Sequence, residues 1–100
     1  MLDTNYDNDK LTVFLSGEID HNRAVGLRTA IDGRLTALRP SVLELDFSRV
    51  SFMDSSGIGL IMGRYRSIGL MGGELRVTNV PDNLSRIIAL SGVNTLGVMK

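Results

Sequence analysis

Two periodicities alternate along this chain, and their order constrains its fold more than any single residue does. Leu11, Val13 and Leu15 alternate with Thr12, Phe14 and Ser16, the repeat of a strand with one buried face. Ala24, Leu27, Ile31, Leu35 and Leu38 then recur at the spacing of one helical face. The strand pattern returns in Leu43, Leu45 and Phe47 against Val42, Glu44 and Asp46, and again in Leu75 and Val77 against Arg76 and Thr78. Between those two runs, Ile58, Ile61, Met62, Tyr65 and Ile68 form the expected buried stripe of a second helix, which ends around Gly69 to Gly73. Leu84, Ile87 and Ile88 mark a third, opened by Pro81-Asp82 and closed by Ser91-Gly92. Asp7-Asn8-Asp9 offers turn chemistry for a hairpin between residues 2–7 and 10–17, and a last short strand is expected near Leu96 to Met99.

Strand, strand, helix, strand, helix, strand, helix, strand is an α/β order in which crossover helices join parallel strands. Such crossovers are right-handed, so they stay on one sheet face while successive strands advance in one direction. The polar alternates on strands two to four imply a solvated face, and the helices are expected to share the other. Asp20 or Asn22 can cap the first helix, and Asp54 is the natural cap of the second. Arg39-Pro40 closes the first helix, because a residue before proline avoids the α region.

Composition narrows the functional classes. At 100 residues, 43% of them hydrophobic and 22% charged, the chain can build one compact domain with a modest core. Eleven basic residues offset eleven acidic ones, so no long-range field favours nucleic acid or anionic lipid. There is no cysteine, which excludes disulfides and thiolate metal sites, and the lone His21 has no ligand-type neighbours at metal spacing. Met1 to Asn8 lacks the basic start and apolar run of a signal peptide. The longest apolar stretch, Gly57 to Gly63, is too short to span a bilayer. A soluble cytoplasmic protein is expected. Neither G-x-S-x-G, nor G-x-G-x-x-G, nor a phosphate-binding G-x-x-x-x-G-K-[ST] occurs, so the hydrolase and nucleotide-domain readings fail.

The chemistry concentrates in Phe52-Met53-Asp54-Ser55-Ser56-Gly57-Ile58-Gly59-Leu60, where a strand runs through two hydroxyls into a helix. A helix start leaves N–H groups unpaired and carries partial positive charge, which suits Asp and Ser there. Gly57 and Gly59 would weaken a helix interior, but at its start they are expected to leave the backbone bare to a partner. The site is expected to be exposed. From the residues alone, Ser55 and Ser56 are either helix-start residues or modifiable hydroxyls. Arg64, Arg66 and Arg76 read as solvated faces, and Met62 and Met71 as gap-filling core or surface residues.

Ser51 to Tyr65, preceded by Leu15-Ser16-Gly17-Glu18-Ile19-Asp20-His21 and followed by Gly72-Gly73-Glu74, resembles the anti-sigma factor antagonists of the STAS family, in particular the type that serves the sporulation sigma-F pathway. The similarity runs from about Leu11 to Gly92. It implies a single STAS domain over residues 1–100, with a mixed, mostly parallel sheet of four to five strands and helices mainly on one face. It also implies a mechanism. The unphosphorylated protein binds an anti-sigma factor that is a serine kinase, and so frees the sigma factor. The kinase uses ATP to phosphorylate Ser56, the complex separates, and a serine phosphatase restores the hydroxyl; the antagonist needs no cofactor of its own. The resemblance puts Glu18, Asp20, His21, Asp54, Ser55, Ser56, Gly57 and Gly59 on the partner surface. A non-sporulation scaffold of the same family, in stress signalling or as a transporter-type module, is the alternative. The family continues after Ser91-Gly92-Val93 through a strand into another helix, which a chain ending at Lys100 is expected to lack.

Overall fold

Asn8 and Asp9 both adopt positive φ, 50° and 63°, the pair of left-handed residues that a tight two-residue hairpin requires and that Asn and Asp tolerate. In the computed structural model, which describes residues 2–100, this turn joins β1 (Asp3–Asp7) to β2 (Lys10–Ile19) with Asp7 opposite Lys10. There follow α1 (His21–Leu38), β3 (Val42–Met53), α2 (Ser55–Leu70), β4 (Glu74–Thr78), α3 (Asp82–Ser91) and a 3-10 turn at Val93–Leu96.

The sheet order is β1-β2-β3-β4, antiparallel at the hairpin and parallel thereafter. Successive strands therefore advance one way, and right-handed crossovers place the helices together; α1 lies against α2, and α2 against α3. Beneath them run two buried rows, Leu11-Leu43-Leu75 and Val13-Leu45-Val77. The alternates Thr12-Glu44-Arg76 and Phe14-Asp46-Thr78 occupy the other face, where the Arg49 guanidinium carbon sits 5.2 Å from the centre of the Phe14 ring. The last strand expected near Leu96 to Met99 contracts to one parallel bridge, Met99 to Val77, because Val93–Leu96 wind into the 3-10 turn instead.

Three expectations need correction. The buried stripe of α2 consists of Gly57, Leu60, Ile61, Arg64 and Ile68, whereas Met62 and Tyr65 are exposed and Ile58 is only partly buried. Arg64, read from sequence as solvated, is 4% exposed; its Nε lies 3.0 Å from Asp32 Oδ1 on α1. Burial pulls the Arg64 pKa down while the Asp32 charge opposes it. A guanidinium on an aliphatic stem fills the interhelical seam, and hydrophobic pattern alone cannot register that. Second, Arg39 closes α1 in the left-handed region at φ 45°, its N–H donating to Leu35 O at 2.8 Å. The helix ends at the expected place, but through a left-handed cap rather than an extended residue.

The third correction is Asp46, which lies on the polar face yet is 7% exposed. Its Oδ1 accepts from Ser48 N at 2.8 Å and Ser48 Oγ at 2.6 Å, and its Oδ2 accepts from Asn79 Nδ2 at 2.8 Å. Burial alone would raise its pKa; those bonds, with the Arg49 charge, outweigh burial and hold the carboxyl below its ordinary value. A depressed folded pKa contributes stability above the unfolded pKa, and that contribution disappears as pH falls through the folded one. Asp46→Asn should therefore cost about 1–3 kcal/mol at neutral pH, with the deficit shrinking below about pH 4. Urea midpoints of both proteins across pH 2.5 to 7 check this; a deficit independent of pH would refute it.

Candidate functional site

Parallel pairing sets Glu18 opposite Phe52 and Ile19 opposite Met53, so β2 and β3 finish together and the next two helices begin side by side. Asp54 N donates to Ile19 O at 3.3 Å across that junction. Asp20, extended at φ −97°, caps α1 by accepting from Arg23 N at 2.9 Å, which decides between Asp20 and Asn22. Arg23 Nη1 donates back to Ser16 O at 2.7 Å and Glu18 O at 3.1 Å, binding the helix to the end of β2 around Gly17, whose φ is 72°. Asp54 caps α2 in the same way, its Oδ1 accepting from Ser56 N at 2.8 Å. Each cap satisfies one unpaired helical N–H.

Ser55 and Ser56 open α2. Ser55 is exposed, while Ser56 is half-buried at a hollow of about 230 Å³ between α1 and α2, whose other walls are His21, Ala24, Val25, Arg28, Gly59 and Leu60. The structure thus gathers Glu18, Asp20, His21, Asp54, Ser55, Ser56 and Gly59 where the two central strands end. Gly57 departs from its expected role, because it is buried and faces Met53 rather than a partner. Its missing side chain lets α2 settle onto β3, whereas Gly59 has open space where a Cβ would stand.

Sequence reasoning overlooked Arg28, Val25 and Phe52. Val25 and Arg28 follow His21 at i+4 and i+7, a one-face spacing that could have revealed them. Phe52 is 50% exposed beside Glu18 because β3 carries an extra residue between Val50 and Phe52, and no local pattern signals that. Among the described residues, no cluster of His, Cys, Asp or Glu could hold a metal ion, and no helix is long and apolar enough to cross a membrane.

A family model for the STAS domain matches residues 2–97. An anti-sigma F factor antagonist from Paenibacillus polymyxa is 37% identical over 83 residues, covering 83% of this chain and 71% of that one. An anti-sigma-B factor antagonist from Listeria monocytogenes is 30% identical over 90 residues, 90% of this chain and 78% of its own. Among solved structures, the antagonist SpoIIAA in its unphosphorylated form superposes with a TM-score of 0.86 at 26% identity, over 100% of this chain and 86% of that one. The phosphorylated form of Bacillus SpoIIAA gives 0.78 at 26% identity, over 100% and 89%. The chain belongs to the STAS domain family. Within that family it is an anti-sigma factor antagonist, a regulatory protein rather than an enzyme.

Two substitutions test the local geometry. Asp54→Ala removes the α2 cap and should cost about 1 kcal/mol, read from the urea midpoint. In Gly57→Ala the new Cβ would stand 2.7 Å from Met53 Sδ and 2.9 Å from Met53 Cβ. The second atom is anchored to β3, so overpacking should cost about 1–3 kcal/mol. Gly59→Ala meets nothing within 4 Å and should stabilise by up to about 1 kcal/mol through helix propensity. Equal responses at the two glycines would contradict the close approach.

Proposed function

We propose that the unphosphorylated chain docks onto an anti-sigma factor that is also a serine kinase, through the edge formed by Glu18, Asp20, His21, Asp54, Ser55, Ser56 and Gly59. Docking frees the sigma factor; the kinase then transfers phosphate from ATP to Ser56, the complex parts, and a serine phosphatase resets the hydroxyl. The observation that carries this reading is the position of Ser56. It stands at the open mouth of a groove, on a helix start, among residues from two neighbouring strand ends. The likeness to a relative known in phosphorylated form supports it. Identity to the Paenibacillus protein favours an anti-sigma F factor as the partner, and the Listeria relative supports an anti-sigma-B factor as the second reading.

One phosphate is sufficient in magnitude. It adds about −1.5 to −2 charge at neutral pH. A single new unit-charge repulsion at about 5 Å and an effective dielectric of about 20 costs roughly 3 kcal/mol before salt screening, or about a hundredfold in affinity. The helix start returns only about 0.3–1 kcal/mol. Repulsion at the partner surface wins, and the fold of the antagonist need not change.

Incubation with anti-sigma kinases of both types and Mg-ATP, followed by mass spectrometric mapping, should place phosphate on Ser56. Ser56→Asp should bind the same kinase about a hundredfold more weakly, while Ser56→Ala binds and takes no label. Phosphate on Ser55 alone, or undiminished binding by Ser56→Asp, would defeat the proposal.

A further inference from the structure

The hollow beside Ser56 has a cationic end. On α1, His21, Val25 and Arg28 succeed one another along one face with Asp32 a turn further on; on α2, Ser56, Leu60 and Arg64 do the same. The two helices start at the ends of the central strands β2 and β3 and lie against each other, so the two files run side by side. Arg64 Nε is 3.0 Å from Asp32 Oδ1, but its N–H does not point along that line, and the buried Nη1 has no hydrogen-bond partner among the described residues. Arg28 lies near enough for its charge to act on Arg64, after burial and against Asp32. Arg28 is itself exposed, and none of the ion pairs among the described residues includes it. Asp32 is thus engaged by Arg64, while Arg28, which has no ion-pair partner among the described residues, leaves a positive charge uncompensated in the groove that also holds the hydroxyl.

We propose that this groove is a receptor for the phosphate on Ser56 itself: once phosphorylated, the side chain turns into the α1–α2 hollow and Arg28 closes over it, with His21 at the mouth. The proposal rests on Ser56 being the modified residue. A guanidinium presents a planar fork of donors that matches phosphate oxygens, and the hollow's about 230 Å³ admits the group. Opposing charges come from the strand ends. Glu18 lies at the end of β2, and Asp20 and Asp54 stand at the two helix starts, each already accepting a cap N–H. Arg23 is committed to Ser16 O and Glu18 O. Arg28 is thus the cation left to tip the balance, and its closure would also withdraw His21 from the proposed docking face.

Phosphoserine installed at position 56 by genetic encoding, in the full chain and without a kinase, separates this proposal from the one on which it rests. Its second ionisation is followed by phosphorus NMR in the wild type, Arg28→Ala, Arg28→Lys and the control Arg66→Ala, whose arginine lies outside the hollow. An arginine partner should lower the phosphate's second pKa by about one unit from its free value of about 6. Arg28→Ala should abolish that shift, Arg28→Lys retain part of it, and Arg66→Ala leave it untouched. Matching urea midpoints for the unphosphorylated variants establish that the fold is intact. A wild-type value at or above about 6, or a shift that survives Arg28→Ala, would overturn the clamp, whatever residue a kinase selects.

Discussion

Parallel pairing of β2 with β3 up to their last residues, Ile19 against Met53, is the constraint on which the rest of the molecule depends. β2 has 10 residues and β3 has 12, yet both begin and finish in register, because shifts after Phe14 and after Gly17 let β3 absorb its surplus. Such irregularities bend a strand and re-aim its side chains. Without them the strand ends would be out of step by about 7 Å, and the two helix starts would no longer share an edge. The same shifts turn Val50 and Met53 into the core and leave Phe52 half exposed.

That shared edge concentrates polarity at low cost. Asp20 and Asp54 spend their carboxylates on backbone N–H groups, so neither is an unpaired charge. Gly57 lets α2 approach β3 closely at this point, and Gly59 two residues later keeps the adjoining groove open. On the proposed reading, phosphate on Ser56 would change the charge of a docking face without asking the core to move. The core rows lie beneath the helices, and Ser56 stands at a helix start, half-buried and outside those rows. The proposed switch would work by altering what a partner meets, not by populating a second fold.

Much of the fold is legible in the chain. The hairpin turn, the three helices, the parallel order and the Asp54 cap follow from local rules that involve residues near one another in sequence, which left the first cap open between Asp20 and Asn22. What escaped was cross-element pairing. Arg64 reads as solvent-facing until Asp32, on a different helix, is set beside it. Asp46 reads as solvated until Ser48 and Asn79 close around it. The α2 stripe departs from the hydrophobic pattern because Met62 and Tyr65 have the right chemistry for a core but stand exposed to solvent. Gly57 suggested accessibility, yet its neighbour Met53 fills the space.

By itself, the sequence determined the elements, their order and the strand-to-helix junction that carries Ser56, since periodicity, turn residues and caps act over a few positions. The tertiary structure alone decided which side chains share the groove, which charges are buried, and that the ends of β2 and β3 coincide. Those outcomes depend on register and irregularities between strands far apart in the chain, where one inserted residue redirects every side chain after it.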